Sequence, residues 1–350
     1  MHTLWNKSGF FFALLFLFLE SCISKEIFDY RKSLSDGRYD SEFPSRNASA
    51  EIGAIAHAVR KIYSVSYYTT WQFRRESRVL PFHIKSGLFT KMSLGTIETQ
   101  ESLTGSATVV LCDDSKVALL TCEHIVNAPD TLITWFDPTH EDQVPVIQSL
   151  TIKEKQEIWV RDFGACGPFV VLADDPEMDV AFIGKTCPSM SSDTNRFPYP
   201  FGHSSELGWG SFVYIFGYPM GMPVVTKAIV SKSERGDPDE FTVDALLNKG
   251  FSGGPILAIR DGVPNFEFVG MVRSVSSDLE SYLKPAPDNK RYNAIFPYKG
   301  DIFNDTREYF HYGLNFIIPA GKILEFYSRH RDELIREGYD LDPFFQTIRK

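Results

Sequence analysis

From about residue 62 to about residue 318 the chain is a succession of short apolar, β-branched and aromatic runs broken by Gly, Pro, Asp and Asn. That rhythm confines it to an all-β barrel or sandwich. The clearest runs are residues 107–111, 117–121, 132–136, 169–172, 180–183, 212–216, 224–231, 241–245, 255–259, 266–272 and 314–318. Helix is expected only at the margins. Residues 49–60 can start a short helix with Ser49 as N-cap, followed by a strand over 62–69. Residues 320–337 space Ile323, Phe326, Tyr327, His330 and Leu334 along one helical face, and Gly338 is placed to stop that helix.

The front of the chain reads differently. Residues 9–19 (GFFFALLFLFL) are apolar, preceded by Lys7 and followed at once by Glu20, Ser21 and Cys22. The run is too short for a spanning helix, which needs about 20 apolar residues, and fits the core of an export signal. Leu19-Glu20-Ser21-Cys22 resembles a bacterial lipobox, with Glu20 departing from the small or apolar residue usual there. Lipidation of Cys22, cleavage nearby, or an uncleaved anchor are the alternatives, and all place the chain outside the cytoplasm, periplasmic or at the cell surface. The expected divisions are therefore 1–22 export segment, 23–48 flexible tether, 49–338 folded domain and 339–350 tail. A net charge of −9 over 350 residues excludes a general nucleic-acid binder, which needs a concentrated basic face.

Three short segments carry chemistry. Asn248-Lys-Gly-Phe-Ser252-Gly-Gly-Pro255 lies between two β-rich runs. A serine hydroxyl is a weak nucleophile that needs a base, and the oxyanion formed by its attack needs preorganised N–H donors. The amides of Gly250 and Ser252 can supply them, and glycines at 250, 253 and 254 allow close backbone packing. A bare Ser-Gly-Gly could be a turn, but the surrounding pattern weighs against that reading. The second segment is Leu119-Leu-Thr-Cys-Glu-His124-Ile-Val126. A lone histidine is more often structural, but here a hairpin of residues 105–111 and 117–121 delivers His124 to a barrel rim as a general base. The third is Met178-Asp179-Val-Ala-Phe-Ile183, an acid entering an apolar strand, where it needs a partner and can orient His124. Asp174 and Asp175 compete for that role but precede Pro176 in a turn.

With these residues in view the chain resembles the chymotrypsin-like serine proteases, and most closely the protease domain of the bacterial HtrA/DegP-type enzymes. The order His, Asp, Ser is theirs. Thr121-Cys-Glu-His124-Ile-Val is similar to their Thr-x-x-His-Val-Val, and Asp179-Val-Ala-Phe-Ile to Asp-Ile-Ala-Leu-Ile. Phe216-Gly-Tyr-Pro-Met-Gly221, Val243-Asp-Ala-Leu-Leu-Asn248 and Gly313-Leu-Asn-Phe-Ile-Ile-Pro319 continue the likeness over roughly residues 50–335. The resemblance implies a double six-stranded β-barrel with a short N-terminal and a C-terminal helix. It implies peptide-bond hydrolysis through His124, Asp179 and Ser252, an oxyanion hole at Gly250 and Ser252, and protein or peptide substrates. A pocket formed by Leu246, Arg273 and Ser274 follows, with preference for apolar residues, because Leu246 stands where trypsin-like specificity uses an acid. Asp244 is two residues too early for that role.

Phe251, Lys249, Cys122 and Glu123 depart from the family pattern, and the stretches between His124 and Asp179 and between Gly270 and Gly313 look expanded. The family's peptide-binding PDZ module is not expected. The competing function is a catalytically silent protease-like module that binds peptides or a surface partner. No cofactor is implied, and the eight histidines and five cysteines show no metal-ligand spacing of the usual zinc kinds. Cys166 and Cys187, nearly equidistant from Pro176 and Glu177, are expected to approach each other, while Cys112 and Cys122 are not. The reading of the N-terminus is checked by mass spectrometry of membrane-extracted protein. A lipid-bearing Cys22 at the mature N-terminus is the expected result, and an unmodified Cys22 inside an intact N-terminal peptide contradicts it.

Overall fold

The computed structural model describes residues 35–44, 46–137, 144–187, 196–232, 240–285 and 302–346. The export segment, Cys22 and residues 23–34 of the expected tether lie outside them. Among the described residues no helix is long and apolar enough to cross a membrane.

Two antiparallel β-systems dominate. The first is a seven-stranded sheet formed by β1 (Val59–Gln72), β2 (Gly95–Cys112), β3 (Lys116–Thr121), β4 (Thr131–Trp135), β5 (Ile147–Val160), β6 (Val170–Asp175) and β7 (Val180–Thr186). Its order is β4-β5-β1-β2-β3-β7-β6. A bridge between Ile158 and Phe169, with the Phe169 N–H 2.7 Å from the Ile158 carbonyl, brings β5 to the start of β6. Six strands thereby close on themselves and β4 is an added edge. The second system is a closed six-stranded barrel, β10-β13-β12-β11-β8-β9. Its strands are β8 (Phe212–Gly217), β9 (Val224–Lys232), β10 (Phe241–Val243), β11 (Pro255–Ile259), β12 (Phe266–Pro285) and β13 (Ile302–Pro319). The double barrel expected from the resemblance is thus present, with one strand more than expected.

The continuous apolar runs follow from burial on both faces. In β8, Val213 and Ile215 point into the closed barrel, while Phe212, Tyr214 and Phe216 join the core shared with the first barrel. In β11, Ile256 and Ala258 face inward and Leu257 and Ile259 outward. The expanded stretches are also β-structure. The one after His124 contains all of β5, which the run pattern did not reveal, and the one after Gly270 is filled at its ends by long arms of β12 and β13.

Register accounts for the cysteines. Cys112 lies opposite Val117, and a bulge between Val109 and Leu111 shifts the ladder by one residue, so Thr108 faces Leu120. Neither Cys112 nor Cys122 is in a disulfide. Cys166 and Cys187 form a disulfide with a Cα separation of 5.2 Å, within the range such a bond requires.

Three boundaries differ from the sequence reading. Ser49 is the first residue of the helix Ser49–Ala56, and its N–H and hydroxyl both donate to Asn47 Oδ1, at 3.0 and 2.7 Å. Tyr39, inside the expected tether, is buried. It bridges Arg260, its hydroxyl donates to Glu267 at 2.5 Å, and the Arg260 guanidinium lies 4.0 Å from its ring centroid. Asp40 continues this docking by accepting from the Phe212 N–H at 2.8 Å.

The expected tail is part of the core as well. The helix Ala320–Arg336 ends at Gly338 (φ +82°), whose N–H donates to Ile335 while Tyr339 donates to Leu334. The chain then turns into the helix Asp342–Phe345. Phe345 stacks on Tyr327 with centroids 4.1 Å apart, and Phe326 stacks on Phe182 of β7 at 5.3 Å. This packing backs the strand that begins just after Asp179. Phe345→Ala should therefore cost about 3 kcal/mol, the usual penalty for emptying a buried phenylalanine site. Urea unfolding checks it through a lower midpoint at unchanged slope, and an unchanged midpoint would show that the segment adds nothing to the fold.

Candidate active site

His124 sits on the one-turn helix Glu123–Val126, which leaves the end of β3 at Cys122. Asp179 ends the β6–β7 turn and is 5% exposed, with the left-handed φ of +58° that aspartate tolerates better than most residues. Two first-turn amides converge on it. The Glu123 N–H donates to the Asp179 carbonyl at 3.3 Å and the His124 N–H to Asp179 Oδ1 at 3.0 Å. The ring follows the backbone, with His124 Nδ1 2.9 Å from Oδ1 and 3.0 Å from Oδ2. A carboxylate on Nδ1 favours the tautomer that leaves Nε2 unprotonated, which is the form a general base needs.

Arg273 completes the surroundings of the carboxylate. It is the extra residue of a β-bulge between Val272 and Ser274, a geometry that re-aims side chains. Its Nε lies 3.3 Å from Asp179 Oδ2. The side chain expected in a substrate pocket is therefore directed at the acid of the site. It also borders a surface cavity of about 720 Å³ with Met178, Ile317 and Lys322, in which neither Leu246 nor Ser252 takes part. Leu246 is 71% exposed. Ser274 pairs with Phe316 in the β12–β13 ladder. Asp244 accepts the Ile229 N–H at 2.7 Å, so its carboxylate serves the barrel.

Ser252 occupies a turn held between the barrels. Its carbonyl accepts from the Ser106 N–H at 2.8 Å. Ser106, fully buried in β2, donates its hydroxyl to the Gly250 carbonyl at 2.7 Å and accepts the Tyr218 N–H at 2.9 Å. The amides of this turn divide into two groups. Phe251 donates to Asn248, Gly253 to Val272 and Gly254 to Phe251. Gly250 and Ser252 donate to nothing among the described residues. Gly250 has φ +107°, and a Cβ there would stand 2.5 Å from the Tyr218 carbonyl oxygen. At Gly253 a Cβ would stand 2.0 Å from the Ser106 carbonyl oxygen. Ser252 Oγ itself makes no hydrogen bond among the described residues, with His124 or any other group.

Several contributors escaped the sequence reading. Gln156 of β5 donates to the Val126 carbonyl at 2.7 Å and to Ser64 Oγ at 2.6 Å, and accepts from the Ala128 N–H at 3.2 Å. It holds the far end of the histidine helix. Ser106 stood in the sequence only as part of the hairpin strand 105–111. Cys122 is fully buried, with Sγ donating to the Val272 carbonyl at 3.2 Å. Burial, reinforced by the nearby Asp179 charge, holds its thiol well above the usual range and so protonated. Glu123 is likewise raised, first by desolvation, while Asn127 donates to its carboxyl at 2.7 Å.

Residues 105–271, which include His124, Asp179 and Ser252, match the family model of the trypsin-like peptidase domain. Serine protease HTRA4 of Mus musculus and serine protease HTR4 of Rattus norvegicus are each 29% identical to the chain over 152 residues. The match covers 40% of this chain and 30% of each of those proteins, so it spans under a third of the curated relatives' length. The serine endoprotease from Yersinia pestis, a solved structure, aligns over 85% of this chain and 69% of its own with 17% identity and a TM-score of 0.39. Residues 105–271 thus match a trypsin-like peptidase domain, and the chain is similar to the HtrA proteases.

Proposed function

We propose that the protein is an exported serine endopeptidase, in which Ser252 is the nucleophile, His124 the general base and acid, and Asp179 the group that orients and charge-balances His124. The observation that carries this reading is the pair of unengaged amides at Gly250 and Ser252, in a turn whose other amides are all bonded. A buried or half-buried N–H without a partner is costly, and two of them beside a serine suit an anion that forms only during reaction. Attack by Ser252 Oγ on a peptide carbonyl passes its proton to His124 Nε2 and forms a tetrahedral oxyanion between those amides. Collapse delivers the proton to the leaving amine and leaves an acyl-enzyme, which water hydrolyses by the same steps.

Export rests on the segment 1–22, and lipid at Cys22 would attach the enzyme to a bacterial membrane. Cleavage after apolar residues is supported by Asp244 being engaged with Ile229, which leaves no acid at the expected position of a basic-residue pocket. The silent-module reading is favoured by one observation, the absence of a hydrogen bond between Ser252 and His124. Such bonds commonly tighten only with substrate, so kinetics decide between the two.

On a peptide library the wild type should cleave after apolar residues, and dominant cleavage after Arg or Lys would contradict the pocket assignment. Ser252→Ala and His124→Ala should each lower kcat by at least about 10⁴-fold, and the double variant should be no worse than either. Additive losses would show that the two side chains do not act as a unit. Gly250→Ala must displace its own peptide group because of the Tyr218 contact. A fall in kcat on the order of 100-fold at nearly constant KM is expected, and unchanged kcat would remove Gly250 from the oxyanion site.

A further inference from the structure

Cys122 is a buried thiol that the proposed reaction does not use, yet it lies beside two residues that it does. A ring nitrogen of His124, a carboxylate oxygen of Asp179 and Cys122 Sγ all lie within 4.8 Å of one another. The set is one sulfur, one imidazole and one carboxylate, which together suit a borderline or soft divalent cation and not Mg²⁺ or Ca²⁺. With bond lengths of about 2.0–2.3 Å, tetrahedral zinc holds its ligand atoms about 3.4 Å apart. Nδ1 and the Asp179 oxygens already stand 2.9 and 3.0 Å apart. The His124 side chain is 43% exposed, while Cys122 and Asp179 are buried, so the cluster lies at the edge of solvent. Sequence spacing gave no sign of this cluster, because Cys122 and His124 meet Asp179 only across the β3–β7 pairing.

We propose that Zn²⁺, or its thiophilic analogue Cd²⁺, binds reversibly to Cys122 Sγ, His124 Nδ1 and Asp179 and switches the protease off. The balance is simple. The Cys122 thiol releases its proton to solvent, the Nδ1 proton leaves and Nε2 gains one, and three coordinate bonds form with nothing oxidised or reduced. One proton is released in all. The histidine is then locked in the tautomer with Nε2–H, which cannot accept the proton of Ser252 Oγ. Asp179 also exchanges its hydrogen bond with the ring for the metal. Inhibition in this form needs no contact between metal and substrate, and a chelator reverses it. The inhibitory part rests on the catalytic reading above, whereas metal binding does not.

The test therefore has two arms, run on full-length protein freed of metal by dialysis against chelator. In Ser252→Ala, addition of Cd²⁺ should produce the ultraviolet sulfur-to-cadmium charge-transfer band. In wild type, Zn²⁺ should suppress peptide hydrolysis and EDTA should restore it. Cys122→Ala and Cys122→Ser should lose the band and require at least tenfold more Zn²⁺ for half-inhibition, while Cys112→Ser should keep both responses. If the Cys122 variants fail to fold, His124→Ala, which alters an exposed ring, carries the absorbance arm and should weaken cadmium binding at least tenfold. A band of full strength in folded Cys122→Ala, or in His124→Ala at unchanged affinity, overturns the site. A band with hydrolysis insensitive to Zn²⁺ overturns the switch. Absent hydrolysis in metal-free wild type would fault the protease assignment alone and leave the absorbance arm to judge the metal site.

Discussion

The structure turns on one buried carboxylate. Asp179 is almost out of solvent, and an isolated anion there would be untenable without compensation. Compensation arrives from two directions. The first barrel supplies the His124 N–H and ring, and the second supplies the guanidinium of Arg273 from a bulge in β12. The same charge therefore positions the histidine and ties the two barrels together at the point where their residues must meet. Lengthening a buried hydrogen bond to a charged group is costly enough that small displacements of one barrel against the other are opposed.

The second link between barrels is Ser106. Its hydroxyl and backbone hold both ends of the Gly250–Ser252 turn, accepting and donating at once. Cys122 Sγ on the Val272 carbonyl, and Tyr218 on the Val59 carbonyl at 3.2 Å, add buried polar contacts across the same seam. Glycine is required where this seam is tightest, since any Cβ at 253 would overlap the Ser106 carbonyl. The Ser252 turn is thus shaped from outside as much as by its own sequence. Its open amides follow from that external hold.

The sequence revealed the parts whose signals are local. Apolar runs marked most strands, the spacing of Ile323, Phe326, Tyr327 and Leu334 marked the last long helix, and three short segments marked His124, Asp179 and Ser252. Parts fixed by distant pairing were hidden. Ile147–Val160 mixes Lys, Glu and Gln with apolar residues because much of it is half-exposed, so its pairing with β1 left no clear run, and Gln156 passed unnoticed. Tyr39 lies in polar surroundings along the chain and Phe345 in a short apolar stretch close to the end of the described residues, and distant partners such as Glu267 and Tyr327 draw both into the core. The bulge at Val109–Leu111 changed a register that an uninterrupted ladder would have kept. Arg273 was placed near the site by resemblance, but its contact with Asp179 depends on a second bulge that no short pattern encodes.

The central claim is that Ser252 is made nucleophilic by the His124–Asp179 pair. Intact-mass analysis after reaction with a fluorophosphonate, followed by peptide mapping, tests it most directly. A single adduct on Ser252 in the wild type, absent in Ser252→Ala and strongly slowed in His124→Ala, is the outcome this account requires. No adduct in folded wild-type protein, or labelling at equal rate in His124→Ala, would contradict it.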